Sequence, residues 1–168
     1  MGSPLDMIRS MAIVMILVVA MWFFGQPPKS DEKSIRPIDP SATFTSFNRI
    51  VPSAPLPAGL PERWQSTVAA YTPAPDLLRV GYVTPSANYA EYAAGTGPAA
   101  AVISSLTADA PVVGTVEVAG QTWQRHLGDK DAISLTRTAG PVTMVVGTLR
   151  ANAPLEEITT LAESLQLR

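Results

Sequence analysis

The chain has one histidine, His126, followed at short spacing by Asp129 and Asp131. This His-x-x-Asp-x-Asp pattern sets an imidazole beside carboxylates, the groups that a metal site or an acid and base pair would need. The aspartates, however, belong to the run Gly128-Asp129-Lys130-Asp131, where Asp is favoured because its side chain bonds to nearby backbone in a turn. A catalytic zinc normally takes three protein ligands with a supporting shell, and the sequence has no cysteine. The pattern therefore reads as a hairpin turn. Ser104 and Ser105 fall in an expected helix with no base close in sequence, and neither a Gly-x-Ser-x-Gly elbow nor a Ser-x-x-Lys motif occurs. Gly95-Thr96-Gly97-Pro98 starts like a nucleotide loop but lacks the later glycine and lysine of one; it reads as a break between two helices. No catalytic, metal-binding or cofactor-binding residue is assigned, and the expectation is a protein that is not an enzyme and carries no cofactor.

Trp64, Tyr71, Tyr82, Tyr89, Tyr92 and Trp123 raise a different chemistry, since aromatic walls bind lipids, glycans and small hydrophobic ligands. Packing in a sheet and its core is the more economical reading of most of them. Tyr89 and Tyr92 stand three apart in a segment, 88–94, whose composition suggests a helix. On one helix face they would form an exposed pair, so they are the expected ligand or partner surface.

The elements that would position these groups lie in a chain of 168 residues with 12 Lys and Arg against 14 Asp and Glu. Such a balance supplies no single-sign field to attract nucleic acid, and nucleic acid is not expected as a partner. Residues 63–71 and 77–84 are rich in Val, Tyr and Thr and flank a Pro-containing turn, which predicts a hairpin. Residues 88–94 and 98–108 are expected as helices. Four further strands, at 114–118, 121–127, 132–138 and 142–149, are separated by Ala119-Gly120, Gly128-Asp129-Lys130-Asp131 and Ala139-Gly140-Pro141, each with turn chemistry. A last helix at 154–167 presents Leu155, Ile158, Leu161, Ala162 and Leu165 on one face behind a proline suited to the first turn. Phe44, Phe47, Ile50 and Val51 read as the start of a strand. The fold class is α+β, with an antiparallel sheet of about six to seven strands and helices packed on one face.

Ahead of this domain, residues 11–24 are apolar throughout. With Met7 and Ile8 the apolar stretch reaches about 19 residues, roughly 28 Å of helix against a hydrocarbon core of ~30 Å. Arg9 is placed to snorkel at one interface, and Trp22, Phe23 and Phe24 mark the other. No small-x-small cleavage site follows Phe24, which favours a retained anchor over a cleaved signal peptide. The expected plan is a short tail at 1–9, a transmembrane helix at 10–28, a Pro-rich polar linker at 29–42 and an extracytoplasmic α+β domain at 43–168. Of the 16 prolines, eight fall between Pro27 and Pro61, and such a stretch behaves as an extended spacer. Flanking charges do not decide the orientation; the very short N-terminal tail favours N-terminus in and domain out.

Several stretches together resemble a known family: Asp6-Met7-Ile8-Arg9-Ser10-Met11, Leu56-Pro57 ahead of Arg63-Trp64, Val80-Gly81-Tyr82-Val83-Thr84-Pro85, Val118-Ala119-Gly120-Gln121-Thr122-Trp123, and Val145-Val146-Gly147 before a Leu-rich helix. They are similar to the actinobacterial domain of unknown function 4245, small single-span proteins. That resemblance implies a membrane-tethered envelope domain and brings no catalytic residues with it. The order of sheet and helices is more loosely similar to PsbP-like or Mog1-like domains. The resulting expectation is a non-enzymatic binding or interaction protein of the cell envelope, held to the lipid bilayer by its N-terminal helix, with a lipid-, glycan- or small-hydrophobic-ligand-binding domain as the alternative.

Overall fold

The computed structural model describes Met15 and residues 36–52, 54–74 and 76–165. The chain divides into two units, Met1–Ile35 and Arg36–Arg168, and the second contains the elements that follow. Its start lies seven residues ahead of Thr43, the expected start of the domain, and Ile38 N–H already donates to Ser66 O at 2.9 Å. The expected membrane span at 10–28 and its markers Arg9, Trp22, Phe23 and Phe24 fall, apart from Met15, outside the described residues. Among the described residues no helix is long and apolar enough to cross a membrane.

Helix α1, Ser41–Ile50, occupies the segment expected to begin a strand. Phe44, Phe47 and Val51 stand three and four residues apart, which is helical spacing, and Phe47 and Val51 are buried while Phe44 packs against the same core. Asp39 accepts a hydrogen bond from Ser41 N–H at 2.9 Å, satisfying one of the free amides of the first turn.

Seven strands follow: β1, Gln65–Pro73; β2, Asp76–Val83; β3, Tyr89–Gly95; β4, Val112–Val118; β5, Gln121–Leu127; β6, Ile133–Ala139; and β7, Val142–Val146. They form one sheet in the order β1-β2-β3-β7-β6-β5-β4, and every pair is antiparallel. Helix α2, Ala99–Thr107, carries the chain from β3 to β4, and helix α3, Leu155–Glu163, follows β7. The sheet is therefore a hairpin extended to β3 and a four-strand meander whose last strand returns to pair with β3. Ala119 and Gly120 both take positive φ between β4 and β5, as a two-residue hairpin turn requires.

The expected helix at 88–94 is instead the central part of the sheet, β3. Its Ala-rich composition favours helix, but so short a helix has little stability alone, whereas here both edges pair, with β2 and with β7. The small side chains suit a strand covered on both faces: Ala90, Tyr92 and Ala94 join the main core, and Ala93 joins a second, smaller one. Consequently Gly95-Thr96-Gly97-Pro98 is a strand-to-helix link, with Thr96 N–H donating to Asp76 O at 3.2 Å.

Both α1 and α3 lie over the main core, through Phe47 and through Ile158, Leu161 and Ala162. Helix α2 lies on the opposite face, where Val102 and Leu106 pack on Ala93 of β3 and Val145 of β7. The expectation of helices on one face is thus corrected to helices on both. On the second face Ala93 of β3 and Val145 of β7 are apolar and buried, so this part of the sheet also needs a cover.

The first turn of α3 ties the main-core layer to the β2–β3 connection. Glu157 accepts from Ser86 N–H at 3.2 Å and Asn88 Nδ2 at 3.4 Å. Desolvation acts to raise its pKa, but hydrogen bonds from Thr84, Ser86 and Asn88 together outweigh it and hold the carboxyl below its ordinary range. A depressed carboxyl pKa contributes stability that is present above the unfolded-state value and lost as pH falls through the folded-state value. Glu157→Gln is therefore expected to lower stability at pH 7 by about 0.5 kcal/mol, with the difference vanishing below the ordinary carboxylate range. Urea titrations of both proteins at neutral and acid pH measure this, and a difference that grows on acidification would contradict it.

Candidate functional site

Five of the six aromatic side chains singled out by sequence belong to the main core. Trp64, Tyr82, Tyr92 and Trp123 are buried there and Tyr71 packs against it. Edge-on contacts join Phe47 to Tyr71 at 5.8 Å and Trp64 to Tyr82 at 6.2 Å. Tyr92 is fully buried, with its hydroxyl donating to Pro55 O, and burial pushes its pKa up. It is not a surface residue. Tyr89, three positions before it on a strand, points to the other face, because side chains alternate along β structure. The expected Tyr89 and Tyr92 pair does not exist.

Tyr89 instead enters a polar cluster on the face that bears α2. In the β2–β3 register Gly81 stands opposite Glu91, Arg79 opposite Ala93 and Val83 opposite Tyr89. Arg79, Gly81, Tyr89 and Glu91 therefore share one face, with Gly81 leaving space at the centre. Arg79 reaches back to form an ion pair through Nε with Glu91. The other carboxylate oxygen of Glu91 accepts from Thr148 Oγ1 at 2.9 Å. Only 3% of the Glu91 side chain is exposed, against 29% for Arg79. A charge so deeply buried requires this pairing. Glu91 holds the Arg79 guanidinium in its charged form, raising its pKa.

Gly147, directly after β7, closes the cluster. Its φ of +75° turns the chain so that its N–H donates to Glu91 O at 2.7 Å and the next residue, Thr148, faces the carboxylate. Tyr89 is anchored at its backbone, with its N–H donating to Asn152 Oδ1 at 2.5 Å and its O accepting from Asn152 N–H at 3.0 Å. Burial raises the pKa of its phenol and so does the charge of Glu91, while Arg79 and Arg150 oppose the rise.

The ring of Tyr89 occupies the space over Gly81. A Cβ at position 81 would lie 2.8 Å from its Cε2 and Cζ, closer than packed carbon atoms come. Gly81→Ala is expected to turn Tyr89 outward at a cost of about 1 kcal/mol. Increased quenching of tyrosine fluorescence by acrylamide, with the far-UV spectrum retained, is the check; unchanged quenching would mean that the ring does not depend on the glycine.

His126 is also on this face and is buried. Its Nδ1 is 2.8 Å from Ala110 O and its Nε2 3.0 Å from Thr136 Oγ1. The carbonyl requires Nδ1 to be the donor, so in the neutral ring Nε2 accepts from the Thr136 hydroxyl. Asp129 and Asp131 are exposed in a 3-10 turn, as the turn reading expected. Among the described residues no group of three His, Asp or Glu is placed to hold a metal ion. Ser104 Oγ donates to Asp109 and Ser105 Oγ to Val102 O.

Near this cluster lies a cleft of about 660 Å³, lined by residues that include Thr107, Ala108, Asp109, Leu127, Lys130 and Leu149. Three of them, Ala108, Asp109 and Lys130, have positive φ, a conformation that costs non-glycine residues energy. Among the described residues no aromatic side chain lines it. On the opposite face, Trp123 Nε1 and Arg125 Nε are buried without hydrogen-bond partners among the described residues.

A family model described as Protein of unknown function (DUF4245) matches residues 2–165. The chain belongs to this family. The DUF4245 match takes in Arg79, Tyr89, Glu91, Gly147 and Thr148, so the whole cluster lies inside the family's span. No curated protein matches the chain, and no solved structure matches it, so the looser PsbP-like or Mog1-like comparison gains no support.

The cluster was hidden from sequence reasoning by one error. With 88–94 taken as a helix, Glu91 and Tyr89 had no fixed relation to Arg79. Read as a strand, period two places Tyr89 and Glu91 together, and Gly81 inside a Val- and Tyr-rich strand is itself a signal of close approach.

Proposed function

We propose that this DUF4245 chain is a membrane-anchored, extracytoplasmic binding module of the cell envelope and not an enzyme, and that it presents the Tyr89 face to its partner. The observation that carries the non-enzymatic reading is the saturation of the two buried groups best suited to proton transfer. Both oxygens of Glu91 are engaged, by Arg79 and Thr148, and both ring nitrogens of His126 are engaged. A general base must be free to reach the proton that it removes. The anchor reading is supported by the apolar run at 11–24 with Arg9 before it and Trp22 to Phe24 at its end. Tethering raises the effective concentration of the domain near other envelope components, so a modest surface suffices.

Crosslinking and affinity capture from native membranes, with the full-length chain and an anchorless form, test the reading. A reproducible envelope partner, lost when Tyr89 is replaced by Ala, is the expected result. Equal capture by the Tyr89 variant would remove the Tyr89 face from the proposal. Fusions of alkaline phosphatase and of a cytoplasmic reporter to the C-terminus test the topology: activity of the first alone supports an outward domain, and activity of the second alone contradicts it.

A further inference from the structure

The ion pair between Arg79 and Glu91 uses only part of each partner's surroundings. Glu91 is enclosed, with 3% of its side chain exposed and each oxygen bonded within the protein. Arg79 spends Nε on it, its two Nη groups have no hydrogen-bond partner among the described residues, and 29% of the side chain reaches solvent. An arginine pinned at Nε keeps the outer edge of its guanidinium as a planar, oriented pair of donors. Two features reinforce that edge. Arg150 is exposed two residues beyond Thr148, and its charge acts on the Tyr89 phenol, so the chain that closes on Glu91 also brings a second cation to this side. The Tyr89 phenol lies over Gly81, where the charges of Glu91, Arg79 and Arg150 all act on it. In charge, Arg79 and Arg150 against Glu91 leave one uncompensated positive charge.

We propose that Arg79, Tyr89 and Arg150 form a binding site for a carboxylate. A planar group with two equivalent oxygens and a single negative charge matches both the donor fork and the local charge. Glu91 and Thr148 are positioning residues: they orient Arg79 and do not touch the ligand. The site names the ligand chemistry of the same face that the binding-module reading uses and rests on that reading, but it does not depend on the anchor. Direct titration and partner capture therefore fail separately.

The probe is acetate, added to the isotopically labelled full-length chain in detergent micelles at pH 7, with chloride as the control at fixed ionic strength. Saturable shifts of the Arg79 Nε–H signal and of the Tyr89 and Arg150 amides, absent with chloride, are expected. Arg150→Gln should raise the half-saturating acetate concentration about threefold to fivefold. Arg79→Lys keeps the charge facing Glu91 but loses the planar fork, and should raise it about tenfold, with thermal midpoints showing that both variants are folded. Equal responses to acetate and chloride would overturn the site, as would binding unaffected by either substitution. Saturation by dimethyl phosphate at a lower concentration than acetate would overturn the carboxylate assignment in favour of a phosphodiester, the chemistry of a lipid headgroup.

Discussion

Gly147→Ala is expected to lower the stability of the domain by about 4 kcal/mol, an exceptional loss for the addition of one methyl group. Two independent causes act at the one position. The backbone φ of +75° is a left-handed conformation that costs a residue with a Cβ about 1 kcal/mol. The added Cβ would also press into Ile133 O and stand 3.0 Å from Ile158 Cδ1. Ile133 starts β6 and Ile158 is fully buried in α3, so the carbonyl cannot withdraw without moving the sheet, and the Ile158 methyl has to give way within a filled core. Relief by rotation of the 147 backbone would release Gly147 N–H from Glu91 O and carry Thr148 away from the carboxylate, leaving buried polar groups unsatisfied. Gly120 is the control. Its φ of +72° is nearly the same, but nothing lies within 4 Å of a Cβ built there. Gly120→Ala should therefore cost only the conformational part, about 1 kcal/mol. Denaturant midpoints of the two variants decide the matter, and equal losses would show that the contacts around Gly147 carry no weight.

That contrast also marks where sequence reading reaches its limit. The four-strand meander was legible because its turns have local chemistry: Ala119-Gly120 and Gly140 sit between β-rich runs, and the strands β4 to β7 fall within a few residues of the expected spans. The last helix was legible from the spacing of Leu155, Ile158, Leu161, Ala162 and Leu165. The segment 88–94 was not, because its preference for helix is local whereas its strand state is set by β2 and β7, distant in sequence. Residues 41–50 show the reverse error. The spacing of Phe44, Phe47 and Val51 carried the helical period, but Ile50 beside Val51 and the surrounding prolines suggested an extended chain. The polar cluster follows the same logic. Arg79, Glu91 and Thr148 are 12 and 57 residues apart along the chain, so only the sheet register brings them together. Gly147 stood in the sequence only as part of the Val145-Val146-Gly147 string that carries the family resemblance, because the reason for a glycine there, the proximity of Ile133 O, exists only in the fold.

Arg79→Met is expected to cost about 3 kcal/mol at pH 7, more than Glu91→Gln at about 1 kcal/mol. The asymmetry follows from burial. Removing Arg79 strands a carboxylate of which 3% is exposed, and an unpaired buried charge is the costly outcome of breaking such a pair. Removing the charge from position 91 leaves a guanidinium that already reaches water, and Gln can still bond to Arg79 and Thr148. The double variant with Met at both positions should recover at least half of the loss, since an apolar pair leaves nothing stranded. Acid should distinguish the single variants too. In Arg79→Met the folded state gains more than the unfolded state from protonating the stranded carboxyl, so it binds protons more readily and its deficit shrinks as pH falls. In Glu91→Gln no carboxyl remains at that position, and this recovery is absent. Urea titrations at pH 7 and in mild acid measure both effects. If Arg79→Met lost no more than Glu91→Gln, or if its deficit deepened in acid, the buried carboxylate would not be the group that the cluster is built to stabilise, and Arg79 would owe its orientation to something other than Glu91.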